Sequence, residues 1–415
     1  MKKCFVTAFF ALFCLYRGLF GAEITVPELE LVTRGAMLDG NFALSSSLGA
    51  EISISGGYKY GFSIGLGAEI TNLQKALSYG RFDVAGYLTT PTPETYEEFS
   101  EHLNNQAFFS IRSLKATVRE LFDKPLELNF FIGQHDKLGS GDEFPDYYGT
   151  PEIGTALKGF FYYPEGFNNN PFLRFNGAIH TIMGTGLSVK AILGNFIPTL
   201  YIYHDLSFPQ AQTLSGQAGS YDPGRYSADF RLLANGENVK FEVFFGSTYS
   251  YSDNVVIRGG VLAYFSSGPF AFLMQAGIPY WEVSTAIDID NCYFLMEPRL
   301  RFEKIGANLT FFYHPVYFQN RIIYDSNGID ERRGRADINL RIFYGDINKS
   351  TFEAGLESMV KIKIQDGEDF EFWISPFLST VTTGLRWDFA LRINPRFFWD
   401  RGDLMEGFIG IRTAY

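Results

Sequence analysis

The chain has 415 residues and sets 35 Lys and Arg against 46 Asp and Glu, a formal charge of −11. That balance argues against nucleic acid as a partner, because neutralising phosphates takes a basic surface. Phe and Tyr number 43 and 24, yet mean hydropathy is only −0.03, which excludes a bundle of apolar helices and leaves room for segments that are oily on one side only.

Residues 1–22 read as a secretory signal peptide. Lys2 and Lys3 form a basic start, residues 5–16 are nearly all apolar, and Gly21 and Ala22 supply small residues for cleavage. The apolar run falls short of the ~18 residues a helical span needs. Cleavage removes Cys4 and Cys14 and leaves Cys292 alone, so no internal disulfide or Cys-based metal site is expected. Residues 23–40, with Pro27-Glu28-Leu29-Glu30-Leu31-Val32, read as a periplasmic segment or a plug, with an extra strand as the other option.

From residue 41 onward the chain is a series of short alternating strands. Side chains on a strand point to opposite faces in turn. Leu126, Leu128, Phe130 and Ile132 oppose Glu127 and Asn129. Ala228, Phe230 and Leu232 oppose Asp229 and Arg231. Val239, Phe241, Val243 and Phe245 oppose Lys240 and Glu242. Leu300 and Phe302 oppose Arg299, Arg301 and Glu303. Ile338, Leu340 and Ile342 oppose Asp337, Asn339 and Arg341. Val360, Ile362 and Ile364 oppose Lys361 and Lys363. Leu385, Trp387, Phe389, Leu391 and Ile393 oppose Arg386, Asp388, Arg392 and Asn394. A helix would repeat every 3.6 residues, and these runs repeat every two.

The connections alternate as well. Tight turns fall at 122–125, 235–238, 266–269 and 303–306, where Asn-Gly and Gly-Pro act as hairpin punctuation. Long polar connections fall at 89–106, 134–153, 207–225, 280–291, 315–334 and 395–405. Counting strands puts every tight turn at one end and every long connection at the other. Two short connections, near 55–58 and 183–185, are read on the long-loop side. The count is about twenty strands, or about eighteen if two weak hairpins are lost, and an even number is expected.

These features resemble the bacterial outer-membrane β-barrel proteins, porin-like in kind, without pointing to one family. The resemblance implies an antiparallel up-and-down transmembrane barrel over 41–415 in the outer membrane, with lipid around it. It also gives a meaning to the last strand, which such proteins close on an aromatic residue read by the barrel-assembly machinery. Ile409, Ile411, Thr413 and Tyr415 keep that register, with Thr413 and the final Tyr departing from the commonest choices.

Other motifs have plainer explanations. Gly61-Phe62-Ser63-Ile64-Gly65 matches a nucleophile elbow, but its residues alternate along a strand and no helix follows. His102 and His135 are expected in outer loops, and His204 and Asp205 point to opposite faces of a strand. No His/Cys/Asp spacing suits a metal and no glycine loop suits a phosphate, so no catalytic residue, metal or cofactor is expected. Glu94, Glu98 and Glu101 fit a solvated surface helix, and Arg401-Gly402-Asp403 fits a loop tip.

The polar face carries the functional reading. An Arg or Lys facing lipid at mid-membrane costs ~2–4 kcal/mol, so this face must meet water or other charges. Arg231, Lys240, Glu242, Arg299, Arg301, Glu303, Asp337, Arg341, Lys361, Lys363, Arg386, Asp388 and Arg392 are therefore expected to line a lumen. The expected function is passive diffusion of small polar solutes, with a basic strip in the C-terminal third favouring anions. The alternatives are a transporter of hydrophobic substrates, for which Phe131 and Phe244 are the inward aromatics, and a closed structural or adhesive barrel. A soluble sandwich is the rival fold, with its apolar faces turned inward.

Overall fold

The computed structural model describes residues 22–38, 41–57, 59–70, 107–158, 162, 175–205, 225–250, 255–314, 335–347, 351–363, 370–395 and 405–413. Residues 1–21 of the expected signal peptide, the Glu94–Glu98–Glu101 segment, the Arg401-Gly402-Asp403 tip, Tyr415 and His102 lie outside them.

Eighteen strands follow one another: β1 (Ala22–Leu38), β2 (Asn41–Gly56), β3 (Tyr60–Ile70), β4 (Ala107–Val118), β5 (Leu126–Leu138), β6 (His180–Ala191), β7 (Phe196–Asp205), β8 (Tyr226–Asn235) and β9 (Val239–Tyr249) form the first half. The second half is β10 (Val256–Ser267), β11 (Phe270–Glu282), β12 (Tyr293–Arg301), β13 (Ile305–His314), β14 (Arg335–Gly345), β15 (Phe352–Lys363), β16 (Phe370–Thr382), β17 (Leu385–Ile393) and β18 (Met405–Thr413). Each pairs antiparallel with its neighbour in sequence, and β1 pairs with both β2 and β18, so the sheet closes into a barrel without a free edge.

Three expectations change. Residues 22–38 are wall, not a separate periplasmic segment or plug. The sequence offered only a short alternating run there, interrupted by Pro27. The strand accommodates it by a register shift between Thr25 and Glu28, which a strand missing one ladder donor permits. The connection near 55–58 joins β2 to β3 and so falls at the tight-turn end. No turn occurs at 183–185, because β6 runs straight through it. The strand count of eighteen, β1 included, is the lower of the two expected values.

The wall is inside-out relative to a soluble β-protein. Phe130, Ile202, Phe245, Ile342 and Leu391 are exposed on the outside, while Asp229, Arg231, Glu242, Asp337 and Asp388 are buried on the inside. That pattern removes the sandwich reading, in which the oily face would be the buried one. The tight turns carry the residues such turns demand: the β16–β17 link is Thr383-Gly384, both with positive φ (53° and 79°). Both chain ends of the ring, the start of β1 and the finish of β18, lie at the tight-turn end.

Candidate functional site

The long connection between β5 and β6 leaves the wall and enters the barrel. Its departure and return are fixed by one side chain. Gln275 on β11, fully buried, donates to the carbonyls of Gly139 and Gly177 (2.7 Å for the latter), and Tyr293 donates to its Oε1 at 2.9 Å. The Gly139 N–H donates to Glu242 Oε1 on β9 at 2.7 Å. Gly139 has φ 73°, a conformation other residues rarely adopt.

Beyond this neck, a short helix α1 (Glu143–Tyr148) lies over β6 and β8. Glu143 forms an ion pair with Arg231 and sits 3.5 Å from Lys190, while Asp136 lies 3.6 Å from Arg231 and 3.9 Å from Lys190. Lys190 also stacks over Tyr147, 4.6 Å from its ring centre, and burial pushes the Tyr147 phenol up to about 12. Further along, Thr155 donates to Glu297 on β12 at 2.8 Å, and Arg299 donates to the Gly154 carbonyl at 2.6 Å. Tyr162 then reaches β14 and β15: its hydroxyl accepts from Arg341 at 2.6 Å and donates to Glu357 at 3.3 Å. Burial raises the Tyr162 phenol well above its ordinary range, so it stays neutral and can fill both roles.

β14 stands nine strands from β5, halfway round the eighteen. The loop therefore crosses the lumen from one wall to the opposite one. It is packed as well as tied. Phe144, Ile153, Leu157, Phe175 and Ile179 merge with inward Phe131, Tyr201, Leu233, Phe244, Leu262, Leu273, Leu295 and Phe312 into one apolar cluster. The wall makes room for it with glycines. A Cβ on Gly260 would come within 2.9 Å of Ile179 and 2.8 Å of the Phe244 ring, and one on Gly277 within 3.2 Å of Ile179.

The expected lumen residues divide by position. Arg231, Lys240, Glu242 and Arg299 are on the wall that the loop covers. Arg341 anchors the loop's far end, with Glu353 at 2.6 Å and Glu357 at 3.8 Å. Asp337 faces Lys361 across the β14–β15 ladder. Arg301 sits near the rim beside Asp346, 3.2 Å away. Lys363 ends β15, and its side chain is outside the described set. Glu303 is corrected: β12 ends at Arg301, and Glu303 stands exposed in the turn that follows. Arg386, Asp388 and Arg392 face inward on β17, Arg392 lying 4.4 Å from the Phe408 ring.

His135 also departs from expectation. It is within β5, not an outer loop, stacked on Phe131 (4.3 Å) and 2.9 Å from Ser188 Oγ. Ser63 sits mid-strand opposite Ser55 and Lys115, with no elbow. Ile409 and Ile411 are on the outward register of β18, Thr413 with them opposite Leu385. No group of metal-binding side chains occurs among the described residues.

Sequence reasoning missed four inward arginines. Arg34 pairs with Glu406, Arg112 with Glu51 (3.2 Å), Arg412 with Asp388 (2.8 Å), and Arg258 with Asp229 (2.5 Å) and Asp205 (3.7 Å). Arg412 was legible, since it lies between Ile411 and Thr413 and the alternation assigns it inward. Glu143 had no such signal, because it sits in a loop whose entry into the barrel leaves no period.

A closed barrel of eighteen strands, oily outside and ionic within, is a transmembrane β-barrel of the porin-like kind. No protein-family model and no curated protein matches the chain. Solved structures similar to it include outer membrane protein opdK from Pseudomonas aeruginosa, at 10 % identity and TM-score 0.48, covering 95 % of this chain and 98 % of that one. OccAB2 of Acinetobacter baumannii is 11 % identical with TM-score 0.49, again over 95 % and 98 %. A triple mutant of the Rhodopseudomonas blastica porin is 9 % identical with TM-score 0.45, over 95 % and 100 %.

Proposed function

We propose that the protein is a channel of the bacterial outer membrane, through which small polar solutes diffuse along one half of a divided lumen. One observation carries this reading. Charged side chains on the wall of β1, β2, β4, β17 and β18 keep contact with water: Arg34 is 30 % exposed, Arg112 25 %, Arg386 19 % and Arg412 36 %. On the loop-covered wall, Arg231, Arg258 and Glu242 are at most 2 % exposed. The arginines of that wall therefore meet water, and those held under the loop do not.

The wet wall is not a bare row of cations, because nearly every arginine has a carboxylate beside it. Position, rather than count, gives it a sign. Glu406 and Asp388 are shorter, sit against the wall and are buried, while Arg34, Arg386 and Arg412 extend over them into water. A passing solute meets guanidinium groups first. That arrangement favours anions modestly, since the buried carboxylates and dissolved salt weaken the field. The partners this reading implies are outer-membrane lipid around the barrel, small-molecule solutes within it and the assembly machinery acting on β18.

Planar-bilayer recording on the refolded full barrel tests the reading. Ion-permeable steps with a modest anion preference are expected, and replacing residues 142–176 by a short Gly-Ser linker should raise unitary conductance severalfold. A silent wild type that conducts only after loop removal would make it a closed structural barrel. Co-purified lipid or fatty acid inside the barrel would instead favour the transporter of hydrophobic substrates.

A further inference from the structure

We propose that Arg386 and Arg412 form a binding step for small carboxylates at the tight-turn mouth of the passage, which rests on the channel reading above for its role in transport. Arg386 is the second residue of β17 and Arg412 the last but one of β18, and they are directly opposite in the ladder. Directly opposite residues in an antiparallel pair have Cα atoms about 4.5–5.5 Å apart, so two like charges are forced side by side. Such a pair is unfavourable unless something stands between them, and Asp388 does.

The way Asp388 is used matters. Arg386 Nε donates to its Oδ1 at 2.9 Å and Arg412 Nε to its Oδ2 at 2.8 Å. Both guanidinium groups spend their inner edge on this one carboxylate. Ser379 holds Oδ1 as well, at 2.5 Å, and fixes the carboxylate in place. Among the hydrogen bonds of the described residues one more reaches either group, Arg386 Nη2 to Ser379 Oγ at 3.5 Å. Glu30 and the Tyr162 hydroxyl add electrostatic partners to Arg412 without a hydrogen bond to it among those described. Glu30, opposite Arg412 on β1, is buried against the wall. The four charges cancel in number, but the two acids are buried while Arg386 and Arg412 keep 19 % and 36 % of their side chains exposed.

Paired, planar forks match a carboxylate better than a spherical anion. A carboxylate has two coplanar oxygens and can accept from both nitrogens of one fork or span two forks. A halide has neither option. The bracing by Asp388 and Ser379 also removes the rotamer freedom that a lone arginine would lose on binding. The site therefore takes monocarboxylates in preference to chloride, as a weak and quickly released step of the kind conduction needs.

Ligand-observed NMR on the detergent-solubilised full barrel, with propionate as probe, tests this without relying on conductance. Saturable binding is expected, with equimolar chloride failing to displace it. The double variant R386Q/R412Q, shown to be folded by heat-modifiable gel migration, should lose at least tenfold in affinity. R412K keeps the charge but not the fork and should fall between, which decides the matter if the double variant does not fold. Wild-type binding without saturation, displacement by chloride, or undiminished binding in R412K would overturn the site. Saturable binding to a barrel that does not conduct would leave the site standing and remove the channel reading. Conduction without saturable propionate binding would do the reverse.

Discussion

The two sides of the lumen are built from the same kind of strand and end in opposite states. The wall from β6 to β12 carries Lys190, Asp229, Arg231, Glu242, Arg258 and Glu297, all inward and all buried. The wall from β17 round to β4 carries Arg34, Arg112, Arg386 and Arg412, also inward, and all in contact with water. Strand alternation cannot account for the difference, because it is the same on both sides. The β5–β6 loop makes it. Where the loop packs, the inward arginines become internal structure and must be paired; where it does not, Arg34, Arg112, Arg386 and Arg412 keep part of their surface, even with buried carboxylates beside them.

The sharpest way to break the comparison is to remove one arginine from each side. Arg258 is held by Asp229, Asp205, Tyr203 (2.9 Å) and Thr248 (2.6 Å) with no exposure. Arg258→Ala leaves two buried carboxylates uncompensated and should destabilise the barrel by about 3–5 kcal/mol, read as a lower midpoint in urea unfolding from detergent or lipid. A smaller but still large effect is expected on the outer surface. Leu391→Arg turns a charge toward lipid and should cost about 2–4 kcal/mol, visible as loss of the heat-modifiable folded band. Arg392→Leu, one residue on, should fold and alter conduction. Equal tolerance of both would discredit the orientation of every strand in register with β17.

Much of this was legible before any coordinates. The period of two assigned the inward and outward faces of β5, β8, β9, β14 and β17, because one bilayer and one aqueous space act on every strand alike. The long connections separated the two rims for the same reason, while the short link at 55–58 was read at the wrong one. Legibility failed where a residue's surroundings come from a different part of the chain. Nothing near Arg231 announces that Glu143 will meet it, and nothing near Arg341 announces Tyr162. Glu303 failed differently: a turn ended the strand one step before the pattern did. The first strand was obscured because Pro27 interrupts its alternation, and only pairing with β18 reveals that the ring needs it.

The loop's far anchor permits a milder test. Tyr162→Phe removes the acceptor for Arg341 and the donor to Glu357 while leaving the ring packed. Breaking hydrogen bonds to charged partners costs about 1.5–3 kcal/mol, although Arg341 and Glu357 remain within 3.8 Å of each other and offset part of it. The barrel should stay folded, with the loop's own protection against proteolysis reduced and conductance noisier. A variant indistinguishable from wild type in both would mean that the apolar cluster alone holds the loop across the lumen.

The smallest effect should come from the wet wall, and its smallness is the point. Arg34→Leu deletes a cation that is paired with Glu406 yet still touches water. Glu406 is only 9 % exposed, but Arg392 stands directly opposite it on β17, so the loss should stay within the ~0–1 kcal/mol of solvent-screened pairs. Unfolding should therefore shift little, whereas anion preference should fall, since one guanidinium no longer covers its carboxylate and Glu406 becomes the group a solute meets. The two readouts move in opposite proportion to those for Arg258, where stability collapses because the charge is structural. Should Arg34→Leu destabilise the barrel as severely as Arg258→Ala, the passage along β1 and β18 would be packed rather than wet, and the division of the lumen into a sealed half and an open half would have to be abandoned.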